Sequence, residues 1–144
     1  MSTYQDAILA FDVPSDWTDK TLVSFSAPSS SSPMAASVVM TKDRLAPPLG
    51  DLPSYADHQL VLVARQLEGL DLENRRTTTI GGRESIVLRF SWKGPAGPVS
   101  QSLFMIRDGQ TVISIATTCM KSEAEAQAPL LSQIISTIRF SQSV

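Results

Sequence analysis

Residues 84–120, ESIVLRFSWKGPAGPVSQSLFMIRDGQTVISIATTCM, decide the fold. In Glu84–Lys93, Ile86, Leu88, Phe90 and Trp92 alternate with Val87, Arg89, Ser91 and Lys93, the period of two expected for a strand with one buried face. Gly94-Pro95-Ala96-Gly97-Pro98 is turn material, and Val99–Arg107 follows as a second strand. Asp108-Gly109 then leads into Thr111–Met120, because this dipeptide readily adopts the backbone of a tight hairpin. Three strands joined by such short turns leave no room for crossover helices, so they are antiparallel neighbours.

Upstream, Leu70–Ile80 ends in three β-branched threonines and reads as a strand entering the Gly81-Gly82 turn. Before it, Ser54–Glu68 reads as a helix, with Ser54 as N-cap after Pro53, Asp57 in the first turn and Gly69 as the stop. Three prolines and a glycine keep Leu45–Pro53 irregular. Ala7–Val13, Thr21–Ala27 and Ala35–Lys42 read as strands, with Trp17 as an anchor between the first two and Pro28–Pro33 as a hairpin loop before the third. Downstream, Ser122 and Glu125 have capping-box spacing, and Pro129 either kinks that helix or restarts it at its first turn. Leu131, Ile134, Ile135 and Ile138 form its apolar stripe. The order β-β-β-α-β-β-β-β-α predicts an α+β fold over residues 1–144 as one domain, a mostly antiparallel sheet with two packed helices.

The chain has 144 residues, a net charge of −2 and 18% charged residues, against about 25% in an average domain. Its 31 serines and threonines supply polarity without charge. With a pI near 5.3 and no basic run longer than Arg75-Arg76, it lacks the electrostatic footprint of a nucleic-acid binder. No apolar run approaches the roughly 18–20 residues of a membrane span, so no stable membrane insertion is expected. The single cysteine cannot form an intrachain disulfide, and Met1–Asp6 carries no signal-peptide pattern, which points to the cytoplasm.

The chemistry-bearing residues are sparse. His58 projects to the wet face of the first helix, and Cys119 has only Lys121 nearby to activate it, so no enzyme is expected. One His and one Cys cannot assemble a zinc set, the acidic residues are not spaced as a calcium loop, and Gly81-Gly82 lacks a phosphate-loop context. Neither metal nor cofactor is expected. On the first helix Ala56, Leu60, Val63, Ala64 and Leu67 share the core face, whereas Leu62 falls opposite, flanked by Tyr55, Gln59 and Gln66. An exposed leucine forgoes roughly 1.5–3 kcal/mol of burial. Leu62 is therefore either a tolerated surface residue or a contact for a partner or second subunit. Strand faces such as Leu22, Ser24, Ser26 and Ser37, Val39, Thr41 mix aliphatics with hydroxyls. Such a face could cradle an apolar helix or be covered by the protein's own helices.

The run Asp12-Val13-Pro14-Ser15-Asp16-Trp17-Thr18-Asp19, then Phe25, residues 35–43, Tyr55 with Gln59-Leu60, Gly81-Gly82 and Thr117-Thr118 resemble the DcrB-related family over nearly the whole chain. Within it, the short members similar to this sequence are the Eag-type chaperones encoded beside type VI secretion effectors. The resemblance implies a PsbP-like α+β fold and a cytosolic homodimer. Its curved sheets would hold the apolar N-terminal helices of a secreted effector before export. It implies client contacts at Leu22, Ser24, Val39, Gln59, Leu67 and the Gln101-Ser102 pair, beside the Leu62 singled out above. Ser24 stands where the family pattern has an aliphatic residue, and either Gln101 or Ser102 takes the place of the second groove glutamine. A non-catalytic regulatory adaptor for a soluble partner is the alternative.

Overall fold

Six strands of one antiparallel sheet follow each other in space as β3 (Leu22–Ser26), β4 (Ser37–Arg44), β8 (Thr111–Met120), β7 (Gly97–Asp108), β6 (Arg83–Gly94) and β5 (Asp71–Ile80). The computed structural model describes residues 1–28 and 32–141. Ser29–Ser31 of the loop expected at Pro28–Pro33 lie outside the described residues. The hairpin turns obey local chemistry. Gly81 and Gly82, with φ of 59° and 81°, supply the two left-handed residues of the β5–β6 turn. Gly109, at φ 63°, lets the β7–β8 turn close so that Asp108 pairs with Thr111.

Two helices sandwich this sheet. Helix α1 (Leu52–Gln66) lies on one face, where Leu52, Tyr55 and Ala56 pack with Ile86, Leu88, Phe90 and Met105. A 3-10 turn (Lys121–Glu123) leads into α2 (Ala124–Ser136) on the other face. There Ile135 and Ile138 pack with Val87, Ile106 and Ile115. The α+β architecture expected from the sequence is thus the observed one. The single buried face expected for Glu84–Lys93 is not, since Ser85, Val87 and Ser91 are buried as well as Ile86, Leu88 and Phe90. A central strand covered by helices on both sides buries both sets of side chains.

The N-terminal part differs more. The strand expected over Ala7–Val13 is only β2 (Ala10–Val13), and it pairs with an unanticipated β1 (Ser2–Gln5) in a separate two-stranded sheet. Tyr4 and Phe11 stack across it with ring centroids 5.0 Å apart. Trp17 is no anchor, being 66% exposed.

Helix α1 starts earlier than Ser54. Asp51 is the N-cap, its carboxylate accepting the Ser54 backbone N–H at 2.7 Å, and Pro53 sits within the first turn, where its missing N–H costs nothing. That bond holds the Asp51 carboxyl below its usual range. Asp51→Ala is expected to lower Tm and to raise amide exchange in the first turn of α1, with Asp51→Asn close to wild type. At α2 the capping box of Ser122 and Glu125 does not form, because the chain is in the 3-10 turn there. Pro129 does not restart the helix but lies inside α2.

Candidate functional site

Strand register settles which residues share the α1 face. Leu22 pairs with Thr41, Ser24 with Val39, Val39 with Ala116 and Ala116 with Leu103. Gln101 pairs with Thr118, which pairs with Ser37. Directly opposed residues point to the same side, so Leu22, Ser24, Val39 and Gln101 share a face with Ile86, Leu88 and Phe90. Helix α1 touches β6 and β7 on that face. Beside it, β8, β4 and β3 present a strip of half-buried Ser37, Val39, Thr41, Ser114, Ala116 and Thr118, ending at Leu22, which is 65% exposed.

The orientation of α1 turns one flank toward this strip. The Tyr55 hydroxyl donates to Asp43 on β4 at 3.1 Å. Gln59 and Leu62 follow at i+4 and i+7, on the same flank, and both are half-buried. Leu62 lies outside both core clusters, whereas Leu60, Val63 and Leu67 pack against the α1-side core. Tyr55 itself is buried, although helical projection groups it with the flank rather than the core; it fills the junction between helix and strip. Burial and the Asp43 charge push its phenol up to about 12. Burial pushes the Asp43 carboxyl up, but the Arg44 backbone N–H, the Lys20 ammonium and the Tyr55 hydroxyl outweigh it and hold the group below its usual range. Asp43 is therefore a carboxylate tied on three sides at one end of the strip.

At the other end, the Trp92 indole N–H donates to Gln101 Oε1 at 3.2 Å. An indole nitrogen is only a donor, so the contact takes the carbonyl end of the glutamine and leaves its NH2 group to donate elsewhere. Sequence reasoning did not anticipate the Tyr55–Asp43 and Trp92–Gln101 contacts, since each joins residues whose proximity depends on packing or pairing register.

The same register puts Gln101 and Ser102 on opposite faces. Ser102 pairs with Arg89 and Thr117 on the opposite face, beneath α2. Successive strand residues point to opposite sides, so these two cannot line one groove. His58 is exposed on α1. Cys119 is 2% exposed, and its thiol is pushed up by burial and by the charge of Glu123, away from the thiolate. Among the described residues no group of three His, Cys, Asp or Glu side chains is placed to hold a metal ion. No helix among them is long and apolar enough to cross a membrane.

The fold as a whole has counterparts among known structures. The DcrB family model matches residues 9–137. The crystal structure of PA94 from Pseudomonas aeruginosa, a protein of unknown function described as a candidate regulator, superposes with a TM-score of 0.84 at 21% identity, covering 99% of each chain. The solution structure of cyanobacterial PsbP from Synechocystis sp. PCC 6803 gives 0.54 at 12% identity over 94% of this chain and 89% of that one. LpqN of Mycobacterium tuberculosis, involved in cell envelope biogenesis, gives 0.52 at 13% identity over 83% of each. At these identities the likenesses establish a PsbP-like fold and nothing finer. No curated protein matches the sequence.

Proposed function

The chain belongs to the DcrB family, and from that premise we propose that it is a cytoplasmic chaperone for the apolar N-terminal helices of a type VI secretion effector. The observation that carries this reading is the juxtaposition on one face. The α1 flank marked by Tyr55, with Gln59 and Leu62, borders a strip bearing Leu22, Ser24, Val39 and Gln101. Aliphatic side chains there would cover a client helix's hydrocarbon. The Ser24, Thr41 and Ser114 hydroxyls and the free Gln101 amide would bond its exposed polar groups, much as helices satisfy one another inside membranes. Weak surface charge keeps desolvation of the strip inexpensive. Leu67 contributes from the end of α1, where it also packs on the core; Ser102, on the opposite face, has no part in this reading. The task is shielding, with no covalent step, and the working unit is a homodimer.

The candidate-regulator description of PA94 favours a second reading, an adaptor that binds a soluble globular partner. Co-expression with a tagged Ala/Gly-rich transmembrane hairpin separates the two. Expected is a soluble complex of two chains and one hairpin by light scattering on the size-exclusion peak, absent when the hairpin carries charges. Elution of the protein alone while the apolar hairpin precipitates would put the adaptor first.

A further inference from the structure

On the face of the sheet opposite the groove, α2 does not close down completely. Its C-terminal half packs through Ile135, with Ile138 just beyond the helix. Toward its N-terminus Ala124, Ala128, Leu131 and Ser132 border the space above the sheet, Ala124 and Leu131 half-buried and Ala128 and Ser132 exposed. Between these residues and the strands an open cavity of about 270 Å³ remains.

The floor of that cavity sets a polar row beside apolar Val87 and Phe104, although it lies between helix and sheet. Asn74, Arg89, Ser102 and Thr117 stand directly opposite one another on four successive strands, β5, β6, β7 and β8, and form one row across the sheet. Arg76 flanks the row on β5 and borders a second, adjoining cavity as well. Two guanidiniums line the cavity and no carboxylate does. Arg89 lies 3.6 Å from Glu73, which also neighbours Lys121 at 3.6 Å. That single carboxylate is shared between two cations, and Arg76 has no ion-pair partner among the described residues.

A guanidinium presents a planar fork of donors that fits the oxygens of a carboxylate or phosphate. Hydroxyls and a side-chain amide beside it suit the hydroxyl groups of the same ligand. The volume falls just below the roughly 300–1,000 Å³ of typical ligand pockets, which selects a small metabolite over a peptide or nucleotide. We propose that the cavity between α2 and the Asn74–Arg89–Ser102–Thr117 row binds a small hydroxylated organic anion. Its carboxylate or phosphate group meets Arg76 and Arg89, and its hydroxyls meet the row. The site is independent of the groove, from which the sheet separates it.

Inorganic phosphate, citrate, glucose 6-phosphate and neutral glucose are the probes, titrated into 15N-labelled protein up to about 10 mM, a range that registers millimolar binding. Expected are saturable amide shifts at Ser100, Ser102, Thr117 and residues 124–132 with citrate or glucose 6-phosphate, and none with glucose. Saturation by phosphate as well supports the same site reading the anionic group alone. Arg76→Gln, on the exposed edge strand β5, should weaken binding about tenfold or more, whereas Arg65→Gln on α1 should not. Ala128→Phe should abolish binding by filling the space; should it fail to fold, Arg76→Gln decides. No shift with any of the three anions, equal shifts with glucose, or shifts unchanged by Arg76→Gln would overturn the assignment.

Discussion

Phe90→Ala lowers the stability of the fold by about 3–5 kcal/mol, the usual cost of emptying a buried aromatic site, with a fall in Tm on the order of 10–20 °C. The ring is 1% exposed, at the centre of the cluster that joins α1 to β6 and β7. Its neighbours Leu52, Leu88 and Met105 are themselves fully buried, so they have little freedom to collapse into the space. The control is another strand phenylalanine, Phe25 on the edge strand β3, which is 69% exposed. Phe25→Ala should change stability by no more than about 0.5 kcal/mol. Urea denaturation of both variants checks the pair. A loss below about 1 kcal/mol for Phe90→Ala would remove it from the core. A Phe25→Ala cost equal to that of Phe90→Ala would mean that a second copy covers β3 in solution.

These two phenylalanines also mark where sequence reading succeeds. Phe90 belongs to residues 84–120, where strand periodicity and turn chemistry agree, and all three strands and both turns stand where the residues place them. Phe25 lies in a stretch equally apolar in pattern, but its burial depends on what the edge strand meets, which no local signal encodes. Strand β1 was illegible because Ser2–Gln5 has no apolar alternation; its pairing rests on backbone bonds and the Tyr4–Phe11 contact. The helix start was misplaced because Asp51 and Ser54 are both acceptable caps, and choosing between them requires knowing that Pro53 sits inside the first turn. Strand pairing puts Leu22, Ser24 and Val39 on one face, but the faces of Gln101 and Ser102 were not legible, since a slip of one residue exchanges the faces of a strand. The anion cavity was wholly hidden. Asn74, Arg89, Ser102 and Thr117 carry no common motif and become one row only through three strand registers.

On the proposed function, Val39→Asp is expected to abolish capture of an apolar helix while leaving the fold in place. Val39 is half-buried, with Ser24 and Ala116 as its cross-strand neighbours on the open strip, so in the free protein a carboxylate there keeps contact with water. A bound helix removes that water and supplies no cation. An unpaired charge taken out of water costs several kcal/mol even after relaxation, and since each 1.4 kcal/mol is a factor of ten, affinity falls by about 100-fold or more. Leu22→Asp, at the exposed end of the strip, should act in the same direction but less, because its greater exposure leaves part of the charge hydrated. Ser102→Asp lies on the far face and should leave capture of the apolar hairpin unchanged. Circular dichroism and elution volume establish that each variant is folded, and pull-down of the hairpin reads binding. If folded Val39→Asp and Leu22→Asp both retain the hairpin, the groove is elsewhere. If Ser102→Asp alone loses it, the client lies against α2.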